Sequence, residues 1–231
     1  VDNLAPADYV AKVEVAKPGF INFTLSDDWV AQQVDVIVEA GSKYGHIDIG
    51  NGLSVQVEFG SANPTGPLTA ATGRGGALGD ALANILSAAG YRVEREYYIN
   101  DAGSRMEAFF QTVYARYAQQ LGQAVEIPAD GYHGAYMVDL AKELVAEYGD
   151  RFLKMPQSEA AAILGGVALG RMVAAARQDL KAMGIEFDVW FSEQSLFERG
   201  LVEQTLQSLQ EKGYIDRREG AIWFVSSSLG E

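Results

Sequence analysis

Cysteine is absent, which excludes disulfides, thiolate nucleophiles and cysteine-ligated zinc and leaves the redox compartment unspecified. Histidine is almost absent. His46 and His133 are the only imidazoles and stand far apart in the chain, which argues against a histidine metal centre. No metal site is expected, although carboxylate-only Mg²⁺ binding stays open. There is no apolar run of the roughly 20 residues that a spanning helix needs, and no basic, apolar, small-residue series at the amino end. A cytoplasmic protein without a membrane partner is therefore expected. Basic residues are scarce, 18 Lys and Arg against 31 Asp and Glu, and the formal charge of −13 argues against tight sequence-independent nucleic-acid binding by the chain as a whole.

What is present suits a packed α/β protein: 48% of the 231 residues are hydrophobic, ample for one large domain or a core with a smaller partner. Two β-like runs, 9–15 and 20–25, flank Lys17-Pro18-Gly19, a good turn signal, and predict a hairpin. Ser26, Asp27 and Asp28 can cap a helix in which Val30, Val34, Ile37 and Val38 recur at helical spacing up to Gly41. Residues 42–53 are glycine-rich and read as a linker.

Residues 54–59 read as a buried strand and 91–99 as the next strand. Between them, 74–89 reads as a helix with Ala77, Leu78, Ala81, Leu82, Ile85 and Leu86 on one face. This is a βαβ unit, whose strands should be parallel and whose crossover should be right-handed. Helices are predicted at 104–122, 135–149 and 157–184, interrupting the sheet as an insertion over about 104–185. A return strand is expected at 187–191, a helix capped by Ser192 and running to Lys212, and a hairpin over 214–225 turning at Glu219-Gly220.

The glycine cluster that begins at Gly73 tests poorly as a dinucleotide site. Gly73 and Gly75 fit G-x-G-x-x-G, but Leu78 stands where the third glycine belongs, and no Gly-Lys-Ser/Thr follows for a phosphate loop. The preceding run is more informative: Glu58-Phe59-Gly60-Ser61-Ala62-Asn63-Pro64-Thr65-Gly66-Pro67-Leu68 joins a strand end to a helix start. Such a junction places side chains at the carboxyl edge of a parallel sheet, where these folds bind ligands. A helix start near Gly73 would aim unpaired N–H groups at the same crevice.

That run resembles, residue for residue, the loop of the arginyl-tRNA synthetases, a class I aminoacyl-tRNA synthetase family, ahead of the family's His-x-Gly-His motif. Thr69, Ala70, Ala71 and Thr72 occupy the four motif positions. Further resemblance lies in Tyr97-Tyr98-x-Asn100-Asp101-x-Gly103, in residues 188–197, in 220–224, and in Pro18-Gly19-Phe20-Ile21-Asn22-Phe23, which is similar to the end of the family's extra amino-terminal domain.

The resemblance implies a Rossmann-like parallel sheet with a helical insertion (residues 46–231), preceded by the tail of a small α+β amino-terminal domain (1–45). It implies ATP-dependent activation of arginine and transfer to tRNA(Arg), with Mg²⁺ accompanying ATP as cosubstrate. It implies that Glu58, Ser61 and Asn63 hold arginine, and that Ala62, Pro64, Thr65, Gly66, Pro67, Leu68, Ala71 and Gly73 line the ATP site. Thr69 and Thr72 stand where the phosphate-contacting histidines belong, and Asn100 and Asp101 order the loop around the substrate. The Asn-Asp-Ala-Gly run equally makes a helix entry without any ligand.

The family's later ATP-binding loop and anticodon-binding domain have no counterpart in the chain, and Val1 is not an initiator Met. An incomplete or inactive catalytic piece, binding tRNA weakly by itself, is expected. The competing reading is a non-catalytic binding or interaction domain derived from a synthetase.

Overall fold

The structure is a computed structural model, and it describes residues 4–230. Two packed units form, one from residues up to Leu53 with Leu86–Arg92, the other from Ser54–Ile85 with the chain from Val93 onward.

In the first unit, β1 (Val10–Ala16) and β2 (Phe20–Leu25) pair antiparallel, with Val13 opposite Phe23 and Ala16 opposite Phe20. Helix α1 (Asp27–Ala40) starts as its residues dictate. Trp29 N donates to Ser26 Oγ at 3.1 Å, Asp27 and Asp28 complement the positive end, and Gly41 takes φ 54° to stop it. The stretch read as a linker is in fact strapped down. Ile47 N donates to Ala88 O (2.9 Å), Gly50 N to Ala89 O (2.8 Å) and Gly52 N to Gly90 O (2.9 Å). Gly50 is buried, and a Cβ on it would come within 2.6 Å of Tyr91 N, so its glycine serves close backbone approach rather than flexibility.

In the second unit, β3 (Ser54–Glu58), β4 (Arg92–Ile99) and β5 (Val189–Ser192) form one sheet in the order β3-β4-β5. Strands β4 and β5 are parallel, with Tyr97 opposite Trp190 and Ile99 opposite Ser192. Phe59 N donates to Glu96 O and Ala62 bridges Ile99 in parallel, so partners ascend together and the βαβ unit holds. The expectation of a buried first strand does not hold. Strand β3 lies at the sheet's edge and its residues alternate between exposed and half-buried until Phe59, which is buried.

Helix α2 (Ala70–Ala88) corrects the sequence reading twice. It begins four residues before the expected 74, and its inward face is Gly76, Gly79 and Ala83. Leu78, Leu82 and Ile85, the expected core face, are 73%, 48% and 66% exposed. The reason is steric. The Phe59 ring fills the space a side chain at position 79 would need, with Cγ 2.2 Å from an ideal Cβ, and Ile185 Cδ1 lies 3.1 Å from one on Gly76. A stripe of small residues lets the backbone approach the sheet, so the large residues turn outward.

The insertion forms as expected from α3 (Ser104–Gln120), α4 (Ala135–Tyr148) and α5 (Gln157–Ala182). Its core packs Phe109, Val113 and Tyr117 of α3 against Met137, Leu140 and Leu144 of α4 and Leu164 and Ala168 of α5. Tyr117 is buried, and its hydroxyl donates to Gly149 O at 2.5 Å. Contrary to the sequence reading, α5 is long and apolar enough to cross a membrane. That composition serves the bundle core: Ala160, Ala161, Leu164 and Ala168 are buried in the cluster that α3 and α4 share. Arg171 in its middle pairs with Glu143 and Glu147.

Beyond β5 the single helix expected to run to Lys212 is broken into α6 (Gln194–Glu198) and α7 (Leu201–Glu211) at Gly200, which takes φ 65°. A hairpin of β6 (Ile215–Arg218) and β7 (Ala221–Phe224) follows. Glu219 and Gly220, at φ 51° and 78°, make the tight turn between them.

Because Gly79 has no room for a methyl group while Gly75 has no atom within 4 Å of one, alanine at the two sites should have opposite effects. Gly79→Ala should lower stability by about 1–3 kcal/mol through overpacking. Gly75→Ala should raise it by about 0.5–1 kcal/mol through helix propensity. Denaturant unfolding of both variants measures this, and equal signs would refute the packing.

Candidate functional site

The site is assembled where β3 and β4 end. Gly60 takes φ 72° and turns the chain immediately after buried Phe59, whose ring lies 4.5 Å from that of Phe187. Ser61 then fastens the loop to the sheet, its Oγ accepting from Tyr98 N at 3.0 Å, and Ala62 adds one parallel bridge to Ile99. Asn63 emerges exposed, Pro64 and Thr65 are buried, and Leu68 returns to the apolar cluster of Phe59, Tyr97 and Ile99. Residues Glu58, Ser61 and Asn63 are thus within one turn of chain at the carboxyl edge. Only Asn63 and Glu58 are exposed, since Ser61 also has a structural partner.

Thr69 and Thr72 start α2. Thr72 N donates to Thr69 Oγ1 at 3.2 Å, the two hydroxyls share a hydrogen bond at 3.0 Å, and Gly73 N donates to Thr69 O at 2.9 Å. Thr69 is therefore acting as an N-cap. The expectation of free N–H groups at a helix start near Gly73 is corrected on this ground: that N–H is already used inside the helix. The positive end of the helix dipole sits at Thr69–Thr72 instead, with Ala70 and Ala71 exposed in the first turn.

A cavity of about 240 Å³ opens over this loop, lined by Ala62, Asn63, Thr65 to Thr69, Thr72 and two tyrosines of the insertion, Tyr132 and Tyr136. None of these side chains is charged. Tyr136 donates its hydroxyl to Thr65 O at 2.7 Å, and burial pushes its pKa up. Neither tyrosine was among the candidates. A pair of aromatics four residues apart around Gly134, at a loop-to-helix junction, was the available signal, but core tyrosines of a helical bundle look the same in sequence. A larger hollow of about 620 Å³ lies at the hairpin, between residues 4–7, β1 and β2, and among the described residues its lining is apolar apart from Tyr9 and Lys12.

On the sheet's other face, opposite buried Tyr97, Tyr98 stacks on Phe191 at 5.6 Å. Its phenol is pushed above the ordinary tyrosine value, first by burial, then by the negative charges of Glu193 and Asp101, a hydrogen bond with Glu193, and the charge of Glu58. Three carboxylates from β3, the β4 end and the β5 end therefore converge on one phenol. A cation is the complementary ligand for such a field. Asp101 has partners of its own at the end of β5. Its carboxylate accepts from Ser192 Oγ (2.7 Å) and Gln194 N (2.8 Å), fastening the β5–α6 turn, and Gly103 at φ 83° leads into α3. Asn100 lies half-buried beside it.

A parallel sheet with a strand–loop–helix junction open at its carboxyl edge defines the Rossmann-like class of nucleotide-binding folds. Comparison with known proteins narrows this. The family "tRNA synthetases class I (R), catalytic domain" matches residues 33–230, and the "Arginyl tRNA synthetase N terminal domain" family matches residues 1–25. Arginine–tRNA ligases of Carboxydothermus hydrogenoformans and Dehalococcoides mccartyi are 51% and 50% identical over 222 residues, covering 96% of this chain and 40% of each relative. An arginyl-tRNA synthetase-type structure from Campylobacter jejuni superposes with TM-score 0.77 at 30% identity, over 90% of this chain and 45% of that one. Thermus thermophilus arginyl-tRNA synthetase, with TM-score 0.58 at 22% identity over 99% of this chain and 38% of that one, shares the fold. The chain belongs to the arginine-type class I tRNA synthetase family. It spans about 40% of the length of the curated relatives it matches.

The convergence on Tyr98 is open to direct measurement. Because its folded pKa is raised, the stability owed to the neutral phenol is complete below about pH 10, the ordinary tyrosine value, and is lost as pH climbs through the folded value. Glu193→Gln should move the Tyr98 titration back toward that ordinary value. Carbon-13 NMR of labelled tyrosine rings, assigned with Tyr98→Phe, reads it, and an unmoved titration would mean that Glu193 does not act on the phenol.

Proposed function

We propose that this site belongs to an arginine–tRNA ligase, in which Mg·ATP and arginine give arginyl-adenylate and the arginyl group then passes to tRNA(Arg). In the first step a carboxylate oxygen of arginine bonds to the α-phosphorus while the bond to the β-phosphate breaks, and pyrophosphate leaves. The observation that carries the reading is the meeting, at one sheet edge, of the Ala62–Thr72 loop with the three carboxylates around Tyr98. The loop offers a helix start to phosphate, and the acidic field offers a partner to a guanidinium.

In this reading Glu58 takes the cationic side chain of arginine, while Ser61 and Asn63 take its polar groups. Ser61 spends an acceptor lone pair on Tyr98 N and keeps its proton for a ligand. Ala62, Pro64, Thr65, Gly66, Pro67, Leu68 and Ala71 line the nucleotide, with Gly73 supporting from inside the helix. In function we divide the chain into the tail of the amino-terminal domain, 1–45, and the core, 46–231, although residues 46–53 and 86–92 pack within the first unit. The protein works in the cytoplasm, and tRNA contact by this chain is weak at a net charge of −13.

Thr69 and Thr72 set the chemistry apart from that of a histidine pair. Each can donate one hydrogen bond but neither carries charge, and each already has the other as partner. Loss of one preorganised donor costs about 2.7–4 kcal/mol of transition-state stabilisation, roughly 10²–10³ in rate. This observation favours a second reading, a domain that binds its ligands without turning them over.

Arginine-dependent pyrophosphate exchange separates the two. We expect exchange by this chain to be slower than that of an ordinary synthetase by at least about 10³-fold. Comparable rates would overturn the account of the threonines. Restoring Thr69→His, Ala71→Gly and Thr72→His should raise ATP affinity more than arginine affinity by calorimetry. The same change removes the N-cap and should cost about 0.5–2 kcal/mol of stability. An equal effect on both ligands would mean the crevice is wrongly divided between them.

A further inference from the structure

We propose that Tyr136 is a positioning residue through which the helical insertion holds the ligand loop in shape. Its hydroxyl donates to Thr65 O at 2.7 Å, more than 70 residues away in sequence, and Thr65 is itself only 8% exposed. The carbonyl therefore has little recourse to water if the phenol leaves. The ring lies over Gly66, where an ideal Cβ would stand 3.0 Å from both Cζ and Oη of the tyrosine. The same ring passes so close to Gly134 that a Cβ there would sit 2.3 Å from it. Two glycines, one on each side, thus accommodate one phenol.

The insertion is a firm anchor at this point. Tyr132, which lines the same cavity, donates its backbone N–H to Thr112 Oγ1 at 3.2 Å, and that hydroxyl, fully buried in α3, donates in turn to Ala108 O at 2.7 Å. Strain or motion in α3 and α4 therefore reaches the Pro-Gly loop through one hydrogen bond. The loop's shape is not encoded in its own prolines alone. As a consequence, ligand affinity at the loop depends on a residue that belongs to another part of the chain, and this part of the inference rests on the loop being the nucleotide site.

The test uses Tyr136→Phe in the full chain, followed by hydrogen–deuterium exchange and by calorimetric titration with Mg·ATP. Leaving a buried carbonyl without its partner should speed amide exchange in residues 60–72 by about 5- to 150-fold and weaken ATP binding with it, while α3 and α5 exchange as before. Gly66→Ala, which displaces the phenol by a few tenths of an ångström, should give the same local signature and covers the case in which the first variant folds poorly. Unchanged exchange at 60–72, or an increase spread equally over the insertion, overturns the proposal. Faster loop exchange with unaltered ATP affinity overturns the positioning role. Failure of the unaltered chain to bind ATP overturns the assignment of the nucleotide site, and the exchange measurement alone then decides whether Tyr136 holds the loop.

Discussion

The close approach of α2 to the sheet at Gly79 is the contact on which the carboxyl edge depends. Phe59 directly follows β3, and its ring occupies the space a larger side chain would claim on the helix. Strand end and helix are thereby held a fixed distance apart, and the loop from Gly60 to Thr69 must span that distance. Its bonds follow from the constraint: Ser61 to β4, Ala62 to Ile99, and Thr69 as the helix cap. The same aromatic ring meets Phe187, and Tyr97 stacks on Trp190 at 4.4 Å, so the return strand after the insertion is keyed to the same layer.

Around that frame the two faces of β4 divide the chemistry. Strand alternation sends Tyr97 into the apolar layer and Tyr98 to the opposite face, where Glu58, Asp101 and Glu193 gather. Neutral hydrogen-bonding groups dominate the loop cavity, whereas carboxylates dominate the face around Tyr98. In the proposed reading a polyanionic nucleotide and a cationic amino acid would be sorted by this contrast, and the helix start would be the main electrostatic attraction for phosphate in a loop without positive charge. The threonines at Thr69 and Thr72 reinforce the point, because their hydroxyls stabilise the helix before any ligand arrives. Thr69 and Thr72 thus serve as a helix cap in their own right.

Much of this architecture was legible in the chain. The hairpin at Lys17-Pro18-Gly19, the βαβ unit, the three helices of the insertion and the Glu219-Gly220 turn all carry local signals that no tertiary contact overrides. The loop motif also located the carboxyl edge. Reading α2 failed where local pattern and packing conflict. Leu78, Leu82 and Ile85 form an apolar stripe, but a stripe does not say which face touches the sheet when Gly76, Gly79 and Ala83 form another. The break at Gly200 was likewise hidden inside a periodic segment.

The sequence by itself determined the family, the order of elements and the identity of the loop, because these follow from residue order, turn chemistry and periodicity within short windows. Only the tertiary structure decided that Asp101 serves the β5–α6 turn, that Ser61 is half committed to Tyr98 N, and that Tyr136 holds Thr65. Each of these pairs joins residues 37 to 93 positions apart. Partners so distant are selected by which surfaces the sheet and the helical insertion bring into contact, and that information is not present in any local stretch of the chain.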